Sequence, residues 1–451
     1  MSERSEMLAN EKIGKLLFKL SVPATVGMMV QALYNLVDTI FVGRVSMLAI
    51  AGIGIVLPIQ MIVMAIAQAI GIGGASIISR SLGAKDIERA EKTMGNIFTL
   101  VLTMSFSIAF FGSIFLEEIL RAFGATENIL PYSMDYLSII FLGTIFFSFA
   151  MASNNVVRAE GNAKIAMITM FISAGLNIIL DPIFIFAFQM GVRGVAIATV
   201  LAQASTATYL AYYFVSGKSS MKVQVKYLKL DLRIVKETFA IGSAAFARQV
   251  AGSMMTVILN HNLAIYGGDV AIAAYSVIYR LLMFTAMPIF GVVQGLQPIV
   301  GFNYGAKQFE RVKEAVRLAV VVTTAIATVG FLMLMVFTGF FIGLFNKDPE
   351  MMAIGIKATR MIVFALPLVG FQMVGASLFQ SIGKALPAFI LSLSRQTLFL
   401  IPLVLALPLF WGLIGIWIAF PLADSLAFGI TLFMVAKEMK VLNQQVVVTE
   451  K

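Results

Sequence analysis

The chain has no cysteine, a single histidine, and charged residues at only 12% of its length. The missing cysteine excludes disulfides, Cys-ligated zinc and thiol chemistry, and leaves the redox compartment open. Charge at half the ~25% usual for soluble domains argues against a water-soluble globule. No P-loop, HExxH, Ser–His–Asp candidate or soluble insert large enough for a nucleotide domain is present. The chain is therefore not read as an enzyme, no cofactor is implied, and any work it does must draw on an ion gradient. The N-terminus, MSERSEMLANEKIGKLLFKLSVP, has no short apolar core followed by a small-residue cleavage site. It reads as a polar cap leading into a first span rather than a cleavable signal.

Apolar sequence is what remains: 60% of the 451 residues are hydrophobic and the mean hydropathy is +0.94. Long apolar runs recur along the whole chain, predicting an all-α polytopic membrane protein with twelve transmembrane helices. They fall near 16–42, 48–78, 93–116, 132–155, 163–188, 193–215, 237–264, 270–302, 314–343, 353–380, 385–409 and 413–436. Most of the 33 basic residues lie in the two termini and the even-numbered loops. By the positive-inside rule both termini are expected in the cytoplasm, in a cell (inner or plasma) membrane, with an even number of spans. The net charge of +10 then reflects the loops, and no nucleic-acid partner is implied.

The chain repeats itself. SLGAKDIERAEK (81–92) resembles NYGAKQFERVKE (303–314), and AIAGIGIV (49–56) aligns with AIAAYSVI (271–278) at the same offset of 222 residues. Gly161 and Gly383 share that offset. Six spans per half give both halves the same orientation, a parallel repeat related by an axis along the membrane normal. The expected organisation is an N-terminal six-helix lobe (1–215), a basic cytoplasmic linker (216–236), and a C-terminal six-helix lobe with its tail (237–451). Two such lobes with a cavity between them are the architecture of alternating access.

Polar residues inside spans are costly and mark function. Asp38, in YNLVDTIFVG, has no Lys or Arg within five positions on either side. With the orientation above it lies about one and a half turns below the outer surface. Asp181 in span 5 falls at similar depth, Asn177 one turn deeper on the same face, and Thr199 in span 6 at a matching level. Four oxygen-bearing side chains at one level suit a hard cation such as Na⁺, or a shared proton. A helix-end residue solvated near the interface is the alternative for Asp181. The second half has no copy of this set: the offset carries Asp38 to Asn260, Asp181 to Leu403 and Thr199 to Pro421. Its buried charges are Arg248, Arg280, Arg395 and Asp424, and one arginine is expected to pair with Asp424. The other two either face a water-filled cavity or bind carbonyls and neighbours such as Gln249 and Gln396. His261, between Asn260 and Asn262, is expected to be a structural hydrogen-bonder. Met28 and Met255, from the pairs Met28–Met29 and Met254–Met255 that lie close to matched positions of the two halves, join Gln31, Tyr34, Asn35, Arg248, Arg280 and Arg395 as candidates for lining a substrate cavity. Pro23, Pro58, Pro288 and Pro298 are candidate bend points.

The six-plus-six plan, the NLVDTIFVG of span 1, the LGAKD and YGAKQ repeats and the Asn177–Asp181–Thr199 set together resemble the MATE (multidrug and toxic compound extrusion) family over nearly the whole chain. The resemblance implies Na⁺- or H⁺-coupled export of amphipathic, often cationic, compounds. In the branch with an acidic first lobe, the positions matching Asp38, Asn177, Asp181 and Thr199 form the coupling-ion site. Another branch carries acids in spans 7 and 10, where this chain has Asn260, His261, Asn262 and Gln372. An arginine in span 8, as at Arg280, resembles the DNA-damage-inducible branch. Beside a monomeric multidrug antiporter in contact with membrane lipids, two other functions stay open: a flippase for a lipid-linked oligosaccharide or peptidoglycan precursor, which the three arginines favour, and a non-transporting receptor or scaffold.

Overall fold

The structure is a computed structural model that describes residues 3–43, 47–345 and 348–449. Among the described residues, eleven helical segments are long and apolar enough to cross a membrane. One of them, Leu232–Gly305, is 74 residues long and joins two helices at Gly268, whose φ of 64° and ψ of −165° are not helical. Divided there, the segments are the twelve spans that the hydropathy predicts. Large apolar side chains cover the outside: Leu142 is 67% exposed, Phe410 78% and Phe433 71%. Such a surface is tolerated only where hydrocarbon replaces water.

The chain forms two compact units. The first holds the segment ending at Asn10 together with Val26–Gly242; the second holds Glu11–Thr25 and the residues from Ser243 onward. The helices of the first unit are α1 (Glu3–Asn10), part of α2 (Ile13–Gly43), α3 (Met47–Gly83), α4 (Ile87–Ile114), α5 (Leu116–Ala122), α6 (Leu130–Ala159), α7 (Ala163–Pro182) and α8 (Gly191–Val215). α6 is central, packed against α3, α4 and α8. Its Leu137 and Phe141 meet Val56, Val195 and Ala196 in one core cluster. The second unit takes most of α9 (Leu232–Gly305) and then α10 (Phe309–Val336), α11 (Thr338–Gly343), α12 (Pro349–Ile362), α13 (Leu366–Ser381), α14 (Ala385–Leu393), α15 (Ile401–Ala406) and α16 (Pro408–Thr449). α16 packs against α12, α13 and α15 and carries Ile416, Trp417 and Phe420 into the core with Met255, Leu259 and Ile278. Pro23, Pro58, Pro288 and Pro298 all lie inside continuous helical stretches, so none of them ends its span.

Each unit holds the base of a helix that belongs, by sequence, to the other half. In the first unit the start of α9 crosses α3 so closely that a Cβ on Gly73 would lie 2.0 Å from the Thr238 carbonyl oxygen. In the second, the start of α2 crosses α9, and a Cβ on Gly295 would lie 2.4 Å from the Ser21 hydroxyl. Gly73 and Gly295 are repeat equivalents, and only glycine permits either crossing. The repeated Gly-Ala-Lys turns hold the same helix bases. Lys85 and Lys307 both adopt left-handed backbone, with φ of 60° and 58°, as Gly161 and Gly383 do with φ of 83° and 82°. Four residues after each lysine stands an arginine. Arg89 bonds Glu237 at 2.7 Å, with Arg80 on the other carboxylate oxygen at 2.9 Å. Its equivalent, Arg311, donates to the Glu11 carbonyl at 2.8 Å and to Asn303 Oδ1 at 2.9 Å. The repeat signature is thus a turn followed by a clamp on an exchanged helix base.

The basic stretch 216–236 is tied to α4. Buried Glu91 accepts from the Lys222 N–H, and buried Asn96 bonds the Tyr227 and Lys229 carbonyls and the Asp231 N–H. Lys92 bonds Asp231 and holds that carboxyl below its usual range. The polar N-terminal cap is a helix of its own, α1. Its Leu8 is buried against Gly161, and its Arg4 bonds the Tyr213 hydroxyl at 2.6 Å.

Candidate functional site

α7 buries a stripe of small and polar residues: Ala163, Ala166, Thr169, Ala174, Asn177 and Asp181. α8 buries Val195, Ala196, Ala198, Thr199 and Ala202. Small side chains let the two backbones approach, and the polar ones then meet. The Asn177 amide donates to Thr199 Oγ1 at 3.3 Å, and that hydroxyl donates to the Val195 carbonyl at 2.9 Å. Asp181, one turn along the same face of α7, is fully buried. A π-helical stretch, Ile183–Ala187, follows it directly after Pro182. Such widened turns recur at functional sites because they free main-chain groups and re-aim side chains.

The convergence expected of Asn177 and Thr199 is therefore a direct hydrogen bond. The donor set also suits a cation. Among the described residues Asn177 Oδ1 is buried and accepts no hydrogen bond, while Thr199 Oγ1 carries oxygen lone pairs beside it. Oxygen donors from an amide, a hydroxyl and a nearby carboxylate are what a hard cation takes. The Asp38 and Asn35 side chains lie outside the described residues. Met28, Gln31 and Tyr34 are half-buried on the part of α2 that belongs to the first unit.

The second unit has a different interior. Arg395 is the arginine that pairs with Asp424: its Nε bonds Oδ1, and NH2 lies 3.4 Å from Oδ2. Gln372 donates to the Asp424 main-chain carbonyl at 2.9 Å. Arg395 is the second residue of another π-helical stretch, Ser394–Leu400. Tyr275 packs between Tyr279 and Phe420 with its ring tilted to both, at centroid distances of 6.2 and 5.9 Å. Arg248 and Arg280 are both exposed, and neither has an ion pair or hydrogen bond among the described residues. Met255 is packed in the core with Leu259 and Trp417, whereas Met254 is 54% exposed. His261 does not match its expected role: it is exposed, and no hydrogen-bond partner is found for it among the described residues. It stands off the inward stripe of α9, where Leu259, Asn262 and Leu263 are buried. Sequence reasoning missed the π-helical stretches, the role of Gln372 and the clamp on Glu237. Glu91 and Asn96, polar residues at the start of an apolar span, were the available signal for the tied linker.

Twelve spans in a duplicated plan, with buried polar sets in the fifth and sixth spans of each half, define a polytopic membrane transporter rather than an enzyme. The chain belongs to the MatE family, whose family model matches residues 23–183 and 244–405. It is 28% identical over 424 residues to the multidrug export protein MepA of Staphylococcus haemolyticus (strain JCSC1435), covering 94% of this chain and 93% of that protein. With MepA of Staphylococcus aureus (strain MSSA476) it shares 27% identity over 422 residues, 91% of each chain. Among solved structures it superposes on the outward-facing conformation of a multidrug resistance MATE family transporter of the MOP superfamily. That match has a TM-score of 0.93 and 26% identity, covering 98% of this chain and 99% of the other. A MOP superfamily transporter from Pyrococcus furiosus Vc1 (DSM3638), described as having reversed binding-pocket polarity, matches with a TM-score of 0.92, 26% identity and the same coverage.

Proposed function

We propose that the protein is a secondary active multidrug exporter of the cell membrane. It exchanges amphipathic, mainly cationic, organic compounds for Na⁺ or H⁺ by alternating access, acts as a monomer, and keeps both termini in the cytoplasm. The MepA relatives support the multidrug cargo. The observation that carries the coupling is the buried Asn177–Thr199 pair with its open amide oxygen, one turn from fully buried Asp181. In this reading Asp38 and Asp181 are the ion-coupling carboxylates, with Asn177 and Thr199 as neutral ligands.

Two carboxylates in one desolvated site do not both ionise cheaply, so protons and Na⁺ compete for the same oxygens. Ion binding then biases the first unit between two arrangements, and linkage makes the effect of ion on substrate equal to that of substrate on ion. The test is export of a fluorescent lipophilic cation from proteoliposomes under an imposed Na⁺ or pH gradient. Flux that follows either gradient supports exchange. Binding with no gradient-driven flux would instead identify a receptor. Apparent Na⁺ affinity should rise with pH, and an affinity flat across the pH range of substrate binding would rule out a shared site.

A further inference from the structure

We infer that the connection between the two sequence halves, residues 216–236, is a lipid-binding strap whose outer surface docks the headgroups of acidic phospholipids. It lies wholly within the first unit. Which leaflet supplies the lipid rests on the orientation proposed above; the docking itself does not.

The strap is laid on a lipid-facing surface. Gly95, Thr99, Leu102, Phe106 and Phe110 recur at three- and four-residue steps along one face of α4. Leu102, Phe106 and Phe110 are large apolar side chains left exposed, which marks that face as the one turned to hydrocarbon. At the Gly95 end of the same stripe, the strap takes the place of lipid. A Cβ on Gly95 would lie 2.4 Å from the Tyr227 carbonyl oxygen, so only glycine lets the strap come this close. One turn on, Thr99 Oγ1 donates to the Leu228 carbonyl at 2.8 Å. The outer side of residues 225–230 therefore continues the lipid-facing surface of α4.

The strap sorts its side chains accordingly. Its main chain is pinned to α4 through Glu91 and Asn96, and Met221 and Tyr227 are buried beneath it. Gln224 turns inward to Glu91, while Val223 and Val225 on either side of it are exposed, Val225 to 84%. Leu232 is 72% exposed. Lys222, Lys226, Lys229 and Arg233, all exposed, are interleaved with these apolar residues. Water does not favour the valines and leucines, and hydrocarbon does not accept the cations. The boundary between them suits both, with apolar side chains at the acyl edge and the basic ends reaching up to the phosphates.

The charge balance selects the headgroup. Residues 216–236 hold six basic side chains and one acid, Asp231, which Lys92 already bonds at 2.9 Å. Cations held at a membrane surface attract acidic lipid with a gain of about fivefold each. The pinned main chain has little freedom left to lose when a headgroup binds. A bias of basic residues towards one side of the membrane explains the lysines alone. It does not explain the exposed Val225 and Leu232, or the fixing of the strap onto the lipid-facing stripe of α4.

The absence of native cysteine allows a clean test. Val225→Cys, labelled with the fluorophore NBD, is placed in liposomes containing doxyl-labelled phosphatidylglycerol or doxyl-labelled phosphatidylcholine at equal mole fraction. Both lipids should quench the label, and the relative association constant should favour phosphatidylglycerol by about fivefold or more. The preference should shrink towards unity in about 1 M salt, where charges are screened beyond about 3 Å. Adding Lys222→Gln, Lys226→Gln and Lys229→Gln together should abolish it with an unchanged thermal midpoint, since these exposed side chains do not make the main-chain ties to α4. Equal quenching by the two lipids at low salt, or a preference that survives the triple substitution, overturns the proposal. A label quenched by aqueous iodide and by neither lipid would place the strap in water, open to a soluble partner, and would also overturn it.

Discussion

The two units share a backbone plan and differ in what stands near a buried acid: a neutral amide–hydroxyl pair one turn from Asp181, an arginine at Asp424. In the first, Asn177, Asp181 and Thr199 present oxygen to the interior. In the second, buried Asp424 is paired with Arg395, while Arg248 is exposed and has no bonded partner among the described residues. The turns nevertheless match closely: Lys85 with Lys307, and Gly161 with Gly383, agree in φ to within a few degrees. The pattern has a physical reason. A turn must satisfy its own main chain and stop a helix at a fixed place, so its conformation is kept in both copies. An interior polar residue answers only to its ligand. Duplication preserved the scaffold and left each unit free to acquire its own chemistry.

The largest expected effect tests the first unit. Asp181→Asn should reduce ion-coupled export to background while the protein still folds, since neutralising a buried acid removes a ligand without stranding a charge. Gradient-driven efflux in proteoliposomes decides this. Retained coupling would remove the acid from the site and weaken the contrast between the units. Arg280→Ala, in the second unit, should leave coupling intact and alter which cargoes are carried.

Arg395→Met tests the second unit. It leaves Asp424 buried without its counter-charge, which should cost about 3–5 kcal/mol of stability. Thermal unfolding in detergent should show a large fall, and adding Asp424→Leu should restore most of it. Equal stability of the single and double variants would mean that Asp424 is stabilised by groups other than Arg395.

Thr199→Val keeps the shape of α8 but strands the Asn177 amide and removes one oxygen. Apparent Na⁺ affinity should fall by about 10-fold, in line with ~1–3 kcal/mol for a buried polar group left unmatched. An unchanged affinity would leave Asp181 acting without its neutral neighbours. The smallest effect belongs to what the units have in common. Glu237→Gln and Arg311→Gln each loosen one clamp on an exchanged helix base, and both clamps are partly exposed. Each should lower stability by only about 1 kcal/mol, and by similar amounts if the clamps are equivalent. A marked inequality in the thermal midpoints would break the symmetry drawn from the repeat.

The sequence by itself determined the membrane class, the twelve spans, the twofold repeat, and the pairing of one arginine with Asp424. Each follows from local composition or from a fixed spacing: an apolar run long enough to cross hydrocarbon, a motif recurring at a constant offset, a charge that must be matched. It also brought Asn177, Asp181 and Thr199 to one level, because helical rise converts residue number into depth. What only the tertiary structure decided was which neighbours meet. The choice of Arg395 over Arg248 or Arg280, the hydrogen bond between Asn177 and Thr199, and the packing of Met255 rather than Met254 depend on helix rotation and crossing. So do the exchanged bases of α2 and α9, which place Glu11–Thr25 and the residues up to Gly242 in units that their position in the repeat does not foretell. Hydropathy records whether a residue avoids water. It carries no information about which other helix satisfies it, since lipid and protein interior are equally apolar, and only side-chain packing and hydrogen-bond geometry distinguish them.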